Sequence, residues 1–320
     1  MFKPFSTLLL ALLLALGLAV GPSFADKYPS KPIKILVGFR AGGSSDASAR
    51  LIGRDLQKEL GTAVVIENLP GGGARRAYEA AYNAAPDGYT LLLADMPSMQ
   101  IGQIGYGGKY KTLEFTYLEQ FFSRSHAVAV RTDSPIKTFS ELVAAGKSKR
   151  MTFSSSGIGT AAHLQAELMR KYAGLTLTLV PYNSGKAATA ALMGGKVDAT
   201  VSGISGALTG AKAGKVRILA VLLDERTKAA PNVPTLKELG FPKAYFMATT
   251  GILAPPKLPA AERDVLQKAL AKIAKMPSIK TIVERRGQKV DGLGPEAYYA
   301  KSKALMQTIA DNIEVMKPKK

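Results

Sequence analysis

The sequence contains no cysteine and no tryptophan, and its only histidines are His126 and His163. The absence of cysteine excludes disulfides, thiolate metal sites, thiol nucleophiles and a lipid-modified N-terminal cysteine. Two histidines also exclude a histidine-rich metal centre. The chain needs no cross-links to fold, because a compact protein of 320 residues buries about three-quarters of the surface that its unfolded chain exposes.

Acidic residues are scarce, with 24 Asp and Glu against 43 Lys and Arg, for a net charge of +19. Hydrophobic residues make up 47% of the chain, so the sequence is not that of a disordered polycation. The basic residues are scattered and lack interleaved aromatics, so we expect no nucleic-acid partner. Two interpretations of the charge remain open: a solvated surface, or a field that concentrates anionic ligands near the protein.

An unbroken apolar run at residues 8–20 follows Lys3 near the N-terminus. It is too short for a comfortable membrane span, which takes about 20 residues. Ser23 and Ala25 place small residues at the −3 and −1 positions of a cleavage site. We therefore interpret residues 1–25 as a secretory signal peptide cleaved after Ala25, with an uncleaved anchor as the alternative, and expect an exported, soluble protein.

Strands and helices alternate along the rest of the chain. A buried strand at 33–39 and a glycine-rich loop at 40–46 precede a helix that ends at Leu60 and has an apolar stripe. Further strands are predicted at 63–67, 90–94, 151–153, 178–181, 197–201, 216–222 and 247–253, and further helices at 74–84, 161–172, 186–193, 206–213, 259–275, 278–286 and 295–313. This alternation predicts an α/β architecture with mostly parallel sheets and helices on both faces.

Two of the strand–loop–helix junctions have the residue types of an anion site. Glycines allow close backbone approach, and the free N–H groups at a helix start attract negative charge. The first junction contains Gly42, Gly43, Ser44, Ser45 and Asp46, and the second contains Ser156, Gly157, Gly159, Thr160 and His163. A turn that only needs glycine and a serine cap is the alternative for each junction alone. Two junctions together favour a shared site at the carboxyl ends of the strands.

The motifs of common catalytic sites are incomplete. Residues 157–162 match a dinucleotide-binding glycine motif, but no Asp or Glu lies between Lys171 and Val197 to hold the ribose. There is no phosphate-binding loop of the G-x-x-x-x-G-K-[ST] type and no G-x-S-x-G nucleophile turn. His163 could in principle serve a serine nucleophile, but we favour a residue that packs or hydrogen-bonds at the helix start. We predict a binding protein without enzymatic activity, metal or cofactor.

Several sequence stretches resemble the Bug family, the periplasmic solute receptors of tripartite tricarboxylate transporters. The similar stretches are 28–33, 38–46, 65–71, 85–91, 157–164, 180–182, 194–198, 213–217 and 233–235. They follow the family's order over essentially the whole chain after residue 25. The resemblance implies a two-lobed, type II-like periplasmic binding protein, with a first lobe of residues 26–124 plus 245–320 and a second lobe of residues 125–244.

The resemblance also implies the function and the ligand contacts. The loops at 40–46 and 154–163 would grip a small organic carboxylate from opposite lobes. Further cleft-lining positions are Asp95, Ser98, Tyr182, Ser184 and Ser202. The expected partners are the carboxylate and the integral membrane subunits of the transporter, with a monomer as the default state. The alternatives are a subunit that signals ligand binding to a sensor kinase and a secreted hydrolase that uses His163 and a serine.

The sequence departs from the family at two places that concern the solute. Arg40 and Ala41 stand where the family commonly has proline, and Arg75 and Arg76 replace Asn and an apolar residue. Arg40 would either pair with an anionic group of the solute or face solvent. Arg75 and Arg76 would either add a second anion contact or lie on the surface. Which carboxylate is bound stays open on the sequence alone.

Overall fold

The computed structural model describes residues 28–316, which form two mixed β-sheets covered by helices. The strands are β1 (Ile33–Val37), β2 (Val64–Asn68), β3 (Thr90–Met96), β4 (Thr116–Arg124), β5 (His126–Arg131), β6 (Met151–Ser155), β7 (Leu177–Pro181), β8 (Ala199–Gly203), β9 (Val216–Val221), β10 (Ala248–Ala254) and β11 (Lys289–Leu293). One sheet has the order β11-β4-β10-β3-β1-β2 and the other has the order β7-β6-β8-β5-β9. The α/β class predicted from the sequence is confirmed.

Helices pack on both faces of each sheet. They are α1 (Ser44–Leu60), α2 (Arg75–Tyr82), α3 (Ser98–Tyr106), α4 (Phe139–Ser148), α5 (Ala161–Ala173), α6 (Gly185–Met193), α7 (Ile204–Lys212), α8 (Ala260–Ala274), α9 (Pro277–Arg285) and α10 (Pro295–Ala310). We call the six-stranded sheet with α1–α3 and α8–α10 lobe 1, and the five-stranded sheet with α4–α7 lobe 2. Within residues 28–316, no helix combines the length and the apolar composition that crossing a bilayer requires. The predicted signal peptide lies outside the described residues.

The strands of lobe 1 are apolar on both sides because both sides are covered. In β3, Leu91 and Leu93 join the core under α1, α8 and α9, whereas Leu92 and Met96 join the core under α2 and α10. Alternate side chains of a strand point to opposite faces, so a strand buried on both sides forms a continuous apolar run. This burial explains why such strands were recognisable from the sequence.

The sheets are mixed, which corrects the prediction of mostly parallel sheets. β1 pairs in parallel with β2 and β3, and β6 pairs in parallel with β7 and β8. β10 is antiparallel to β3 and β4, β11 is antiparallel to β4, and β5 is antiparallel to β8 and β9. The chain crosses between the sheets immediately before β5 and β10. Each of these strands therefore starts at the edge where its neighbours end, and runs in the opposite direction.

The chain passes directly from one sheet to the other at Ser125, the single residue between β4 and β5. It returns to lobe 1 between β9 and β10. The chain therefore changes from one sheet to the other in the two regions where the lobe boundaries were predicted. The exact boundaries at 124/125 and 244/245 stay a proposal. The C-terminal 3-10 segment Ile313–Met316 contacts the other lobe as well, because Ile313 and Met316 share an apolar cluster with Leu164 and Leu168 of α5.

Gly251 in β10 provides a test of packing in the lobe 1 sheet. A Cβ atom there would lie 2.5 Å from the carbonyl oxygen of Glu119 and 2.6 Å from the ring of Tyr298. We expect Gly251→Ser to lower the free energy of unfolding by about 1–3 kcal/mol, measured by urea denaturation and circular dichroism. Gly294→Ser is the control, because Gly294 has nothing within 4 Å and caps α10, where serine is accepted. Equal stability of the two variants would contradict this account.

Candidate functional site

A cleft lies between the lobes at the carboxyl ends of strands from both sheets. It is lined by Phe39, Gly43, Ser44, Ser45, Asp95, Ser98, Arg124, Ser125, His126, Ser156, Ala161, Ser184, Gly185, Gly203, Ser205 and Gln288. Phe39, Asp95 and Arg124 follow or end strands of lobe 1, and Ser156 and Gly203 do the same in lobe 2. Ligands of open α/β sheets bind at this edge.

Seven of the sixteen predicted ligand-binding residues line this cleft: Gly43, Ser44, Ser45, Asp95, Ser98, Ser156 and Ser184. They come from both lobes, so the structure brings part of the predicted set together. The other nine do not line it: Arg40, Gly42, Asp46, Gly157, Gly159, Thr160, His163, Tyr182 and Ser202. Several of these nine instead fix the loops that carry the lining residues.

Asp46 is one of the loop-fixing residues. Its Oδ2 accepts hydrogen bonds from Gly42 N at 2.9 Å and from Arg50 Nε at 3.0 Å. Burial works to raise the pKa of Asp46, but the hydrogen bonds from Arg50 and Gly42 outweigh it and hold the pKa below its usual value. The carboxylate therefore stabilises the loop before α1, where a ligand contact had been predicted.

The loop before α5 is fixed in a similar way. Thr160 Oγ1 donates to Gly157 O at 2.7 Å, and Gly159 N donates to His163 Nδ1 at 3.1 Å. Burial lowers the pKa of His163 to about 4, so the imidazole is neutral at neutral pH. Among residues 28–316, no ring nitrogen of either histidine is hydrogen-bonded to a serine hydroxyl. The geometry that a serine hydrolase would need is therefore not formed in the described part of the chain.

The remaining predicted residues lie near the cleft without lining it. Arg40 is exposed, and only its carbonyl takes part in the loop, accepting from Gly43 N at 3.3 Å. Ser202 is buried and its Oγ lies 3.1 Å from Thr189 Oγ1. Tyr182 lines a second, adjacent cavity between the lobes, together with Gly157. Direct ligand contact by these residues stays a prediction that the geometry does not favour.

Arg124 is a cleft residue that sequence reasoning missed. It ends β4 and is only 9% exposed. Its Nη2 forms an ion pair with Asp95 Oδ2, and its Nη1 donates to Ser45 Oγ at 3.2 Å. Burial raises the pKa of Asp95, and the Arg124 guanidinium opposes that rise. Because a lone buried charge is very costly, the two groups hold each other in the cleft.

His126, two residues further along, was also missed as a cleft residue. It is 6% exposed and its Nδ1 has no hydrogen-bond partner. Burial, followed by the nearby Arg124, lowers the pKa of His126 to about 3, so the ring is neutral. A buried polar atom without a partner is uncommon and usually indicates a missing ligand or water. The crossing at residues 124–126 could have suggested both residues, because the connecting strand must pass the bottom of the cleft.

Two uncapped helix starts face each other across the cleft. α1 begins after Gly43 and α7 begins after Gly203, and neither glycine position supplies a side-chain cap. A Cβ at Gly203 would lie 4.0 Å from Ser44 Oγ, and a Cβ at Gly43 would lie 4.0 Å from Ser184 Cβ. Gly159, which we expected opposite Gly43, instead lies against Tyr106 and Arg75. The lobe 2 residues that face Gly43 and Ser44 are therefore Ser184, which precedes α6, and Gly203, which precedes α7, rather than Gly159 before α5.

The lobes touch directly beside the cleft. Ala161 N, at the start of α5, donates to Ser98 Oγ of lobe 1 at 3.1 Å, and Ser98 Oγ donates to Asp95 Oδ1 at 3.1 Å. A Cβ at Gly73 of lobe 1 would lie 2.7 Å from Ile158 O of lobe 2. The structure is therefore a closed form, and a solute would need the lobes to separate in order to enter.

The described side chains offer no metal centre. Across residues 28–316, no three His, Asp or Glu side chains come together as a metal site would require. The polar groups at the cleft are hydroxyls, a guanidinium, an imidazole, the amide of Gln288, backbone N–H groups and the carboxylate of Asp95. Asp95 is paired with Arg124, and most of the other groups can donate a hydrogen bond to an anion.

Comparison with known proteins agrees with the fold. The family described as tripartite tricarboxylate transporter family receptor matches residues 48–319. A protein in the gbd 5′ region of Cupriavidus necator is 31% identical over 308 residues, which are 94% of this chain and 90% of that protein. Protein BugT of Bordetella pertussis is 33% identical over 240 residues, which are 73% of each chain.

Two solved structures are also similar. The periplasmic binding protein BugD superposes with a TM-score of 0.84 at 26% identity, over 90% of this chain and 98% of that chain. MatC from Rhodopseudomonas palustris with bound malate superposes with a TM-score of 0.83 at 25% identity, over 89% of this chain and 100% of that chain. These neighbours confirm the predicted periplasmic binding-protein fold.

The buried His126 predicts a pH dependence of stability. An unfolded histidine takes up a proton near pH 6.5, whereas the folded ring does so only near pH 3. The unfolded state therefore binds more protons, and this histidine lowers the free energy of unfolding by about 1.5 kcal/mol as the pH falls from 6.5 to 5. We expect the free energy of unfolding of His126→Asn to fall less than that of the wild type over the same pH range, by about 1.5 kcal/mol. Urea denaturation followed by circular dichroism measures this difference. If the free energy of unfolding depended on pH in the same way for both proteins, the pKa of His126 would not be lowered by folding.

Proposed function

The chain belongs to the tripartite tricarboxylate transporter receptor family, and on that premise we propose that it binds a small organic carboxylate in the cleft and delivers it to membrane transporter subunits. It is a periplasmic solute-binding protein of the Bug type, and the similar solved structures include the periplasmic binding protein BugD and MatC with bound malate. The ligand class and the membrane partner are our proposal. Support for the ligand class comes from the convergence of hydrogen-bond donors from both lobes at one closed cleft.

The donors at this cleft suit a carboxylate for a physical reason. The first N–H groups of a helix have no acceptor within the helix, and at α1 and α7 no side chain caps them. In α7 the first of these groups, Ile204 N, donates to Ser125 O at 3.0 Å, so an anion would bind the N–H groups that follow it. The helix dipole adds partial positive charge at the same points. Arg124 is paired with Asp95, but its buried Nε has no hydrogen-bond partner, and neither has Nδ1 of the neighbouring cleft residue His126. An anion between the lobes would satisfy groups that are otherwise incompletely paired.

Closure would couple binding to a change of shape. A carboxylate can contact α1 and α7 together only when the lobes approach, so its affinity is higher for the closed form. A ligand shifts an equilibrium between open and closed forms by this difference in affinity. The MatC structure, whose bound solute is the dicarboxylate malate, supports the same class of ligand for this chain.

Two variants of the ion pair between Arg124 and Asp95 should differ in their effects on carboxylate binding. Asp95→Asn leaves Arg124 without its carboxylate, so we expect a lower melting temperature without ligand and equal or tighter carboxylate binding. The double variant Asp95→Asn/Arg124→Gln has no buried charge in this pair. It should recover part of the stability and bind about 10- to 100-fold more weakly, since hydrogen bonds to charged groups contribute about 1.5–3 kcal/mol.

The measurement is a thermal-shift panel of malate, succinate, citrate and adipate, followed by titration calorimetry with the strongest ligand. Ligand at 100 times its dissociation constant adds about 2.7 kcal/mol to the stability, which is readily detected. Sodium chloride at matched ionic strength is the control for non-specific charge effects. Weaker binding by Asp95→Asn, or unchanged binding by the double variant, would contradict a role for the Arg124 charge.

Delivery to a transporter is tested in cells. Deletion of the gene for this chain should abolish uptake of the carboxylate identified in vitro, and the wild-type gene should restore uptake. The Asp95→Asn/Arg124→Gln variant, expressed at the same level, should not. Uptake that persists in the deletion strain, with loss only of a transcriptional response, would instead indicate the sensing role. No feature of the described residues favours that role.

A further inference from the structure

Arg75 is a half-buried arginine without an anionic partner. Among residues 28–316, no carboxylate and no hydrogen-bond acceptor contacts its guanidinium, whose carbon lies 5.5 Å from the ring centroid of Tyr106. Two other shielded guanidiniums are neutralised, that of Arg124 by Asp95 and that of Arg170 by Glu167. The half-buried Arg217 bonds only the carbonyl of Ile136, and among residues 28–316 the half-buried Arg286 has no carboxylate within ion-pair distance either. Removing a cation from water without a counter-ion is unfavourable. An anion bound beside Arg75 would therefore stabilise its positive charge.

The guanidinium is held in place at the contact between the lobes. The stem of Arg75 packs on α3, where a Cβ at Gly102 would lie 2.9 Å from Arg75 Cγ. The head group lies between the two lobes: a Cβ at Gly72 would be 3.1 Å from Nη2, and a Cβ at Gly159 of lobe 2 would be 3.8 Å from Nη1. Its position is therefore set by the closed form.

A second cavity beside the carboxylate cleft contains this guanidinium. Lobe 1 supplies the loop and helix start from Pro70 to Arg75 together with Tyr106, and lobe 2 supplies residues 156–158 and 181–183. The cavity shares Phe39 and Ser156 with the cleft described above. Ser156 and Gly159 are three residues apart, so their Cα atoms are separated by at most about 10 Å. The two spaces are therefore adjacent, and a solute would have to be long enough to extend from the cleft past Ser156 to contact Arg75.

We propose that Arg75 binds a second anionic group of the solute, so that this receptor selects dicarboxylates over monocarboxylates. The inference rests on the proposed function, because it assumes a first carboxylate in the cleft. Arginine suits this role because its planar guanidinium forms two parallel hydrogen bonds with one carboxylate. Arg76, the next residue, is exposed and carries the same charge, so it separates a contact from a general charge effect.

The test compares Arg75→Gln with Arg76→Gln by titration calorimetry. The probes are succinate, glutarate and adipate, each paired with the monocarboxylate of equal chain length: butyrate, pentanoate and hexanoate. We expect Arg75→Gln to weaken the preferred dicarboxylate at least tenfold and its monocarboxylate less than twofold. Arg76→Gln should change both less than twofold. Arg75→Lys keeps the charge without the planar guanidinium, so its affinity for the dicarboxylate should lie between those of the wild type and Arg75→Gln. If Arg75→Gln is unstable, Arg75→Lys takes its place in the comparison.

Each contrary result has a separate meaning. Equal losses for both ligand classes in Arg75→Gln, or the same loss in Arg76→Gln, would overturn the contact. A wild-type protein that binds a monocarboxylate as tightly as its dicarboxylate would overturn the selectivity but leave the proposed function in place. A wild-type protein that binds none of the six probes nor citrate would overturn the proposed function and this inference together.

Discussion

The buried ion pair of Arg124 and Asp95 is the constraint on which the arrangement of the cleft depends. Arg124 stands at the end of β4, where the chain leaves lobe 1, and a cation there requires a negative charge beside it. Asp95 supplies that charge from β3. Ser45 of α1 bonds Arg124, and Ser98 of α3 connects Asp95 to the first N–H group of α5 in lobe 2. The ion pair joins β3 to β4, and its hydrogen bonds link these strands to α1, α3 and α5.

Such a pair contributes little to net stability, because desolvation of the two charges offsets their attraction. Its value is that it keeps an arginine at the bottom of the cleft before any ligand arrives. In the proposed function, the solute carboxylate joins a site where the cation is already desolvated and oriented, and where two helix starts face it. The excess of basic residues over the whole chain acts at longer range, by raising the local concentration of anions.

The sequence was most informative where structure is local. The glycines and serines at 42–46 predicted a helix start at a ligand cleft, and Gly43, Ser44 and Ser45 do line that cleft. The ligand contact of Asp46 stays a prediction, and the residue type alone did not reveal that its carboxylate accepts hydrogen bonds from Gly42 N and Arg50. The helices and strands between 98 and 148 were not assigned. β4 and β5 belong to different sheets although they are separated by Ser125 alone, and only the folded chain shows that the junction lies under the cleft.

Long-range contacts explain the other differences. The antiparallel course of β5 and β10 follows from where the chain crosses between the lobes, which no local pattern encodes. Likewise, the opposition of Gly43 and Gly203 depends on how the two sheets are placed relative to each other. The family resemblance, carried by motifs spread over the whole chain, supplied the two-lobed arrangement that periodicity alone did not.

The C-terminal segment Ile313–Met316 has a consequence for the energy balance between the receptor's two shapes. It follows α10 of lobe 1, yet Ile313 and Met316 are buried beside Leu164 and Leu168 of α5 in lobe 2. When the lobes part, the segment must either expose these apolar side chains to water or travel with α5 and stretch its link to α10. Either route makes the unclosed shape costlier, at roughly 25 cal/mol for every Å² of apolar surface uncovered. Burial of this segment therefore favours the closed form even when no solute is bound. The apolar area that the segment buries contributes to the equilibrium between the closed form and the open form that admits a solute.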